Sequence, residues 1–304
     1  MQSTEFAYDP GRYGLPTRQE LIEHRIWDTH YHGLMGGGGM AQHRAMMFYV
    51  ERMGIERVIS LDIGRGVRSE SGGPGRPPAP SQPERERADQ EELELLQRER
   101  DRVSGIIRIN PTYPEESCAM MDKWIRHGPC IGIKYGASGA VKCSHPNNDP
   151  IIGLARELKA MIYIHTFMVV GGTPRVPGGG SRGAESHPAD VAILARRFPD
   201  VPMICGHSGG DWELGARAIR ACENVYFEFS GSDPHSSEVD YAVNELGADR
   251  IVWGGHGPSR SFATELSKAF DADLSRADRM KVLGGNYRRL AAPMFRQKGQ
   301  PIAI

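Results

Sequence analysis

Cysteine is sparse in this chain of 304 residues. The five present (Cys118, Cys130, Cys143, Cys205 and Cys222) are scattered and form no CxxC pair. An odd, dispersed set gives no basis for a disulfide framework, and a reducing cytoplasm is the expected compartment. Long apolar runs are also missing: none approaches the ~20 residues of a membrane-spanning helix. The opening MQSTEFAYDPGRYG is polar and lacks the apolar stretch of a secretory signal. Charge of one sign is not in excess, with Lys+Arg 37 against Asp+Glu 38. That balance argues against nucleic acid or an anionic membrane as the main partner. No solenoid-type repeat is visible.

What remains is a length and a rhythm. A (β/α)₈ TIM barrel typically takes roughly 250 residues, so residues 1–304 fit one such domain with extended loops at its C-terminal face. Short apolar, β-rich runs fall at Arg25–His32, Arg57–Ile63, Val103–Asn110, Cys130–Tyr135, Met161–Phe167, Pro202–His207, Val225–Ser230 and Arg250–His256. Amphipathic stretches lie between and after them: Ala41–Met53, Glu86–Arg102, Glu115–His127, Pro150–Lys159, Pro188–Phe198, Glu213–Glu223, Glu238–Leu246, Ser261–Phe270 and Arg276–Leu290. Strict alternation with near-continuous apolar strands predicts a parallel sheet covered by helices. Three segments interrupt it: the Gly/Pro-rich 64–82, expected to be a flexible loop after strand two, then 137–149 and 168–187. Loops after barrel strands sit on the face where active sites are built. Arg65, Arg68, Arg175 and Arg182 in these loops suit a small, carboxylate-bearing substrate.

Histidine position is the most informative feature. Of 11 histidines, His30, His32, His165, His207 and His256 close predicted strands one, five, six and eight. In a closed barrel those strand ends converge on one mouth. His30 and His32, two apart on a strand, share a face, and neutral imidazoles there can share a divalent ion. Asp28, of the same parity, is expected to orient an imidazole and is counted with the catalytic candidates. His145 and His235 are weaker candidates for substrate contact.

The segments WDTHYHG, GIKYG, IYIHTF, RRFPDVPMICGHSGG, NVYFEFSG, LGADRIVWGGHGPSR and LGGNYRRL together closely resemble the amidohydrolase-related family. More narrowly they resemble the branch that includes aminocarboxymuconate-semialdehyde decarboxylase and related decarboxylases and hydrolases. The resemblance spans nearly the whole chain and implies a barrel enzyme, usually dimeric, with one divalent metal. It implies that His30, His32 and His165 are metal ligands and that His207 is the catalytic histidine. Family members end strand eight with glycine, a small residue and a metal-binding aspartate, whereas this chain reads Gly254-Gly255-His256-Gly257-Pro258.

His256 therefore stands where a ligand and activator of water belongs, and two outcomes follow. If it coordinates, the site is all-histidine (His30, His32, His165, His256) and His207 is the base. If it does not, the chain is a degenerate barrel acting as a binding or scaffold subunit. Lys134 in GIKYG is expected to contact a substrate anion rather than carry a bridging carbamate. Glu228 and Asp233 are carboxylates that compensate for the missing aspartate or touch substrate. Asp211 is read as a helix cap. Nitrogen-rich ligation suits Zn²⁺, with Mn²⁺, Fe²⁺ or Co²⁺ also compatible. The expected chemistry is metal-assisted hydrolysis of an amide, lactone or related bond. The alternative is non-oxidative decarboxylation by the same residues.

Overall fold

A computed structural model of the chain describes residues 15–33, 39–63, 81–136, 140–167, 185–231 and 236–304. Its centre is one eight-stranded parallel sheet in sequential order, β1 to β8. The strands are β1 (Ile26–Tyr31), β2 (Ile55–Ile63), β3 (Val103–Ile109), β4 (Gly132–Tyr135), β5 (Met161–His165), β6 (Met203–Gly206), β7 (Val225–Glu228) and β8 (Ile251–Val252). Around them run α1 (Arg18–Glu23), α2 (Gly39–Arg52), α3 (Gln82–Arg98), α4 (Pro114–Met121), α5 (Asp149–Leu158), α6 (Pro188–Arg197), α7 (Trp212–Ile219), α8 (Glu238–Leu246), α9 (Phe262–Asp271), α10 (Arg276–Met280) and α11 (Asn286–Gln297). This is the expected (β/α)₈ barrel.

The strands are buried on both faces, as their apolar runs require. The helices bury one stripe each. On α5 this is Ile151, Ile152, Ala155 and Leu158, with Pro150 in the first turn, where its missing N–H is not needed. Asp211 caps α7, accepting from the Leu214 N–H at 2.9 Å, as its place in the sequence suggested. No helix among the described residues is long and apolar enough to cross a membrane. All five cysteines are free.

Three departures from the expected elements have physical causes. Helix α1 is absent from the predicted set because its six residues bury only Leu21; a Thr17/Glu20 capping box defines it instead. The helix expected over Glu86–Arg102 begins at Gln82 and ends at Arg98, so the anticipated loop 64–82 runs into its first turn. Strand eight, expected to reach His256, leaves the ladder at Val252. From Trp253 onward the chain spends its polar groups on β1. The Trp253 carbonyl accepts from the Thr29 N–H (3.3 Å) and hydroxyl (2.7 Å), and the Gly257 carbonyl accepts from the His32 N–H (2.8 Å). Residues 64–80, 137–139 and 168–184, which include Arg65, Arg68, Arg175 and Arg182, lie outside the described residues.

Candidate metal centre

The C-terminal ends of β1, β5, β6 and β8 carry the five histidines singled out above. His30 and His207 are buried, and His165 and His256 are half-buried. Two sit on unusual backbone: His207 at φ 62° and His256 at φ 49° occupy the left-handed region, which non-glycine residues enter rarely and at some cost. This turn swings each imidazole off its strand and across the mouth.

His30 is the hub of a cluster of rings. Its centroid lies 4.3 Å from His256, 4.7 Å from His32 and 4.7 Å from His207. The Nε2 atoms of His30 and His32 are 2.8 Å apart. Donor nitrogens of His30, His207 and His256 all lie within 4.8 Å of one another. His165 stands at the edge, with its ring centroid 4.7 Å from that of His207 and its Nε2 bonded to Glu185 at 3.0 Å. The expected ligand set is thus divided: His30, His32 and His256 meet, while His207 rather than His165 joins the converging donors.

His30, His207 and His256 are held neutral. Burial, with neighbouring His256, His32 and His207, keeps the His30 pKa well below the ordinary histidine value. Burial and His165 do the same for His207. Burial and His32 lower His256 to about 3. Neutral imidazole is the form that offers a lone pair to a metal. The His207 Nδ1–H donates to the Ser230 carbonyl at 2.8 Å, which makes Nε2 its lone-pair nitrogen. The donor set therefore fits a divalent ion that accepts nitrogen ligands, Zn²⁺, Mn²⁺, Fe²⁺ and Co²⁺ among them.

The carboxylates are placed differently from the expectation. Glu228 is fully buried under the histidines and is not open to a substrate. Its Oε1 accepts from the Ser230 N–H (2.8 Å), and its Oε2 from the Tyr163 hydroxyl (2.6 Å) and the His207 N–H (3.0 Å). Asp28 orients no imidazole through its carboxylate contacts. Its Oδ1 accepts from the backbone N–H groups of Gly255 (2.6 Å) and His30 (2.9 Å), pinning β1 to the end of strand eight. Asp233 and His235 lie outside the described residues. His145 caps a short turn and accepts from the Asn147 N–H at 3.2 Å. Lys134 is buried beside the cluster, with Nζ 5.7 Å from the Tyr163 ring centroid.

Sequence reasoning missed Tyr163, Ser230 and Glu185. Tyr163 sits inside an apolar run and passes for core, although its inward parity with His165 was available as a signal. Glu185 reaches His165 because Ser186 pairs with Thr166, extending β5 across a 20-residue gap in sequence.

The sequence profile described as amidohydrolase matches residues 28–290. Among solved structures, the chain is similar in fold to 2,6-dihydroxybenzoate decarboxylase from Rhizobium (TM-score 0.62, 17% identity, covering 87% of this chain and 97% of that one). It is similar to 5-carboxyvanillate decarboxylase from Sphingomonas paucimobilis (TM-score 0.61, 14% identity, covering 81% and 82%). It is also similar to a dihydroxybenzoic acid decarboxylase from Polaromonas sp. with bound manganese (TM-score 0.59, 17% identity, covering 82% and 84%). No curated protein matches the chain significantly in sequence.

Proposed function

Since this chain is a member of the amidohydrolase family, we propose that it is a metal-dependent, non-oxidative decarboxylase of a small carboxylate-bearing molecule. The observation that carries this reading is the donor set: among the described residues the donors that cluster within 4.8 Å of one another are imidazoles, His30, His207 and His256, beside a buried lysine. Hydrolysis needs a base to take a proton from water, and the strand-eight position that would supply a carboxylate holds His256. Decarboxylation does not need that base. It needs an electrophile, a cationic partner for the carboxylate and a proton for the carbon left behind. The decarboxylases of like fold support the same choice, and the manganese in one of them supports a divalent ion.

His30, His207 and His256, with His32 beside them, would hold the ion. When bound, it supplies a Lewis acid that withdraws electrons from the bond to be broken. Lys134 offers the buried ammonium against which a substrate carboxylate settles. His165 handles the proton: Glu185 engages its Nε2, leaving Nδ1 as the other basic site. The carbon–carbon bond breaks, carbon dioxide leaves, and the electron pair left on carbon takes up the proton.

The test joins metal analysis to product detection. Purified chain loaded with Zn²⁺ or Mn²⁺ is incubated with 2,6-dihydroxybenzoate and 5-carboxyvanillate as first probes, and released carbon dioxide is measured. Carbon dioxide from one such acid supports the proposal. Cleavage of amide or lactone probes without carbon dioxide would make the chain a hydrolase, and absence of stoichiometric metal would make it a silent barrel. His207→Ala is expected to lose the ion, whereas His165→Gln keeps it and loses turnover. The reverse pattern would return the two histidines to the roles that the family resemblance implies.

A further inference from the structure

We infer that Tyr163 and Glu228 are a positioning pair that fixes which nitrogen of His30 faces the other imidazoles. The consequence for metal binding rests on the centre proposed above, but the hydrogen-bond logic does not. A phenol has one hydrogen. The Tyr163 hydroxyl donates it to Glu228 Oε2 at 2.6 Å. The same oxygen lies 2.6 Å from His30 Nδ1 and, its hydrogen spent, can only accept. His30 Nδ1 therefore carries the ring proton, shared with the Ser230 hydroxyl oxygen at 2.9 Å. Nε2 is left as the lone-pair nitrogen, which accepts from His32 Nε2–H at 2.8 Å in the centre of the cluster.

The barrel is cut to fit this pair. A Cβ at Gly206 would lie 2.2 Å from the Tyr163 hydroxyl oxygen, and one at Gly254 would lie 2.3 Å from Glu228 Oε1. Both glycines keep a side-chain-free wall against a polar group that has no other place to go. Glu228 Oε2 lies 3.5 Å from His30 Nδ1. A carboxylate acting on a ligand imidazole through its second nitrogen fixes the tautomer and strengthens the donor. Glu228 thus supplies, from behind the cluster, negative charge that the strand-eight residue His256 lacks.

The test compares wild type, Tyr163→Phe and Glu228→Gln by two readouts. Long-range ¹H–¹⁵N correlation spectra of metal-free protein report which His30 nitrogen is protonated, and chelator competition reports Zn²⁺ affinity. The pair predicts an Nδ1–H tautomer for His30 in wild type, lost or mixed in Tyr163→Phe, and Zn²⁺ binding weakened about 10- to 100-fold. Tyr163→Phe keeps the ring and is the cleaner variant if Glu228→Gln, which disturbs the acceptor of two backbone N–H donors, fails to fold. An Nε2–H tautomer in wild type, or an Nδ1–H tautomer undisturbed in Tyr163→Phe, overturns the inference. If wild type binds no Zn²⁺ while the tautomer change is seen, the pair stands and the metal reading falls.

Discussion

At the scale of single residues, the position that most sets this chain apart is His256. Its left-handed backbone, φ 49°, is one that aspartate tolerates better than most side chains, so the family residue can be restored without a backbone penalty. His256→Asp places negative charge beside the ion and is expected to tighten Zn²⁺ binding by about tenfold, 1.4 kcal/mol. Chelator competition checks this, and unchanged or weaker binding would mean that the position lies outside the ion's reach. The five histidines were legible in the sequence because each is a polar group ending an apolar run. Their partners were not. Tyr163 is indistinguishable from core by composition, Ser230 acts partly through its backbone carbonyl, and Glu185 is brought near only by the pairing of Ser186 with Thr166. The proposed division of labour between His165 and His207 was equally illegible, since strand-end placement is common to both.

At the scale of elements, alternation gave all eight strands, because a strand buried on both faces must be apolar almost throughout. Strand length was less readable: Trp253 looks like strand yet leaves the ladder to bond with Thr29 and the backbone of Val282. Asp28 is central to that seam. Burial raises its pKa to about 7, against the lowering effect of two backbone donors. Asp28→Ala would orphan the buried N–H groups of His30 and Gly255, at about 1–3 kcal/mol each. Asp28→Asn keeps an oxygen for both. Urea denaturation should show a loss of about 2 kcal/mol or more for the alanine variant and a clearly smaller one for asparagine. Equal losses would mean that the seam does not depend on this acceptor.

At the scale of the whole molecule, folding and proton binding are coupled through carboxyl groups sealed inside the barrel wall. Glu238 and Glu265, on α8 and α9, are fully buried around Lys268, which lies 3.7 Å and 3.0 Å from them and donates to the Phe229 carbonyl at 2.9 Å. Burial outweighs the lysine and raises Glu238 to about 8 and Glu265 to about 7. A carboxyl with a raised pKa binds its proton more tightly in the folded chain than in the unfolded one. The two carboxyls therefore contribute stability that is full near the unfolded value of 4.5 and lost as pH climbs towards about 8. The lowered His30, His207 and His256 act in the opposite sense below the ordinary histidine value, so between about pH 7 and 8 the carboxyls set a falling stability. Chelator-treated protein should show a falling urea midpoint over that window, and Glu238→Gln should flatten the slope. A midpoint that rises with pH would contradict this. The brevity of β8 has a wider consequence. His256 lies four residues beyond Val252, where the ladder stops, on a turn whose flanking residues Gly255 and Gly257 are bonded to Asp28 and His32 through their backbone. Because those bonds run through backbone atoms, the imidazole at that corner can be swapped for another chemical group without removing one of them.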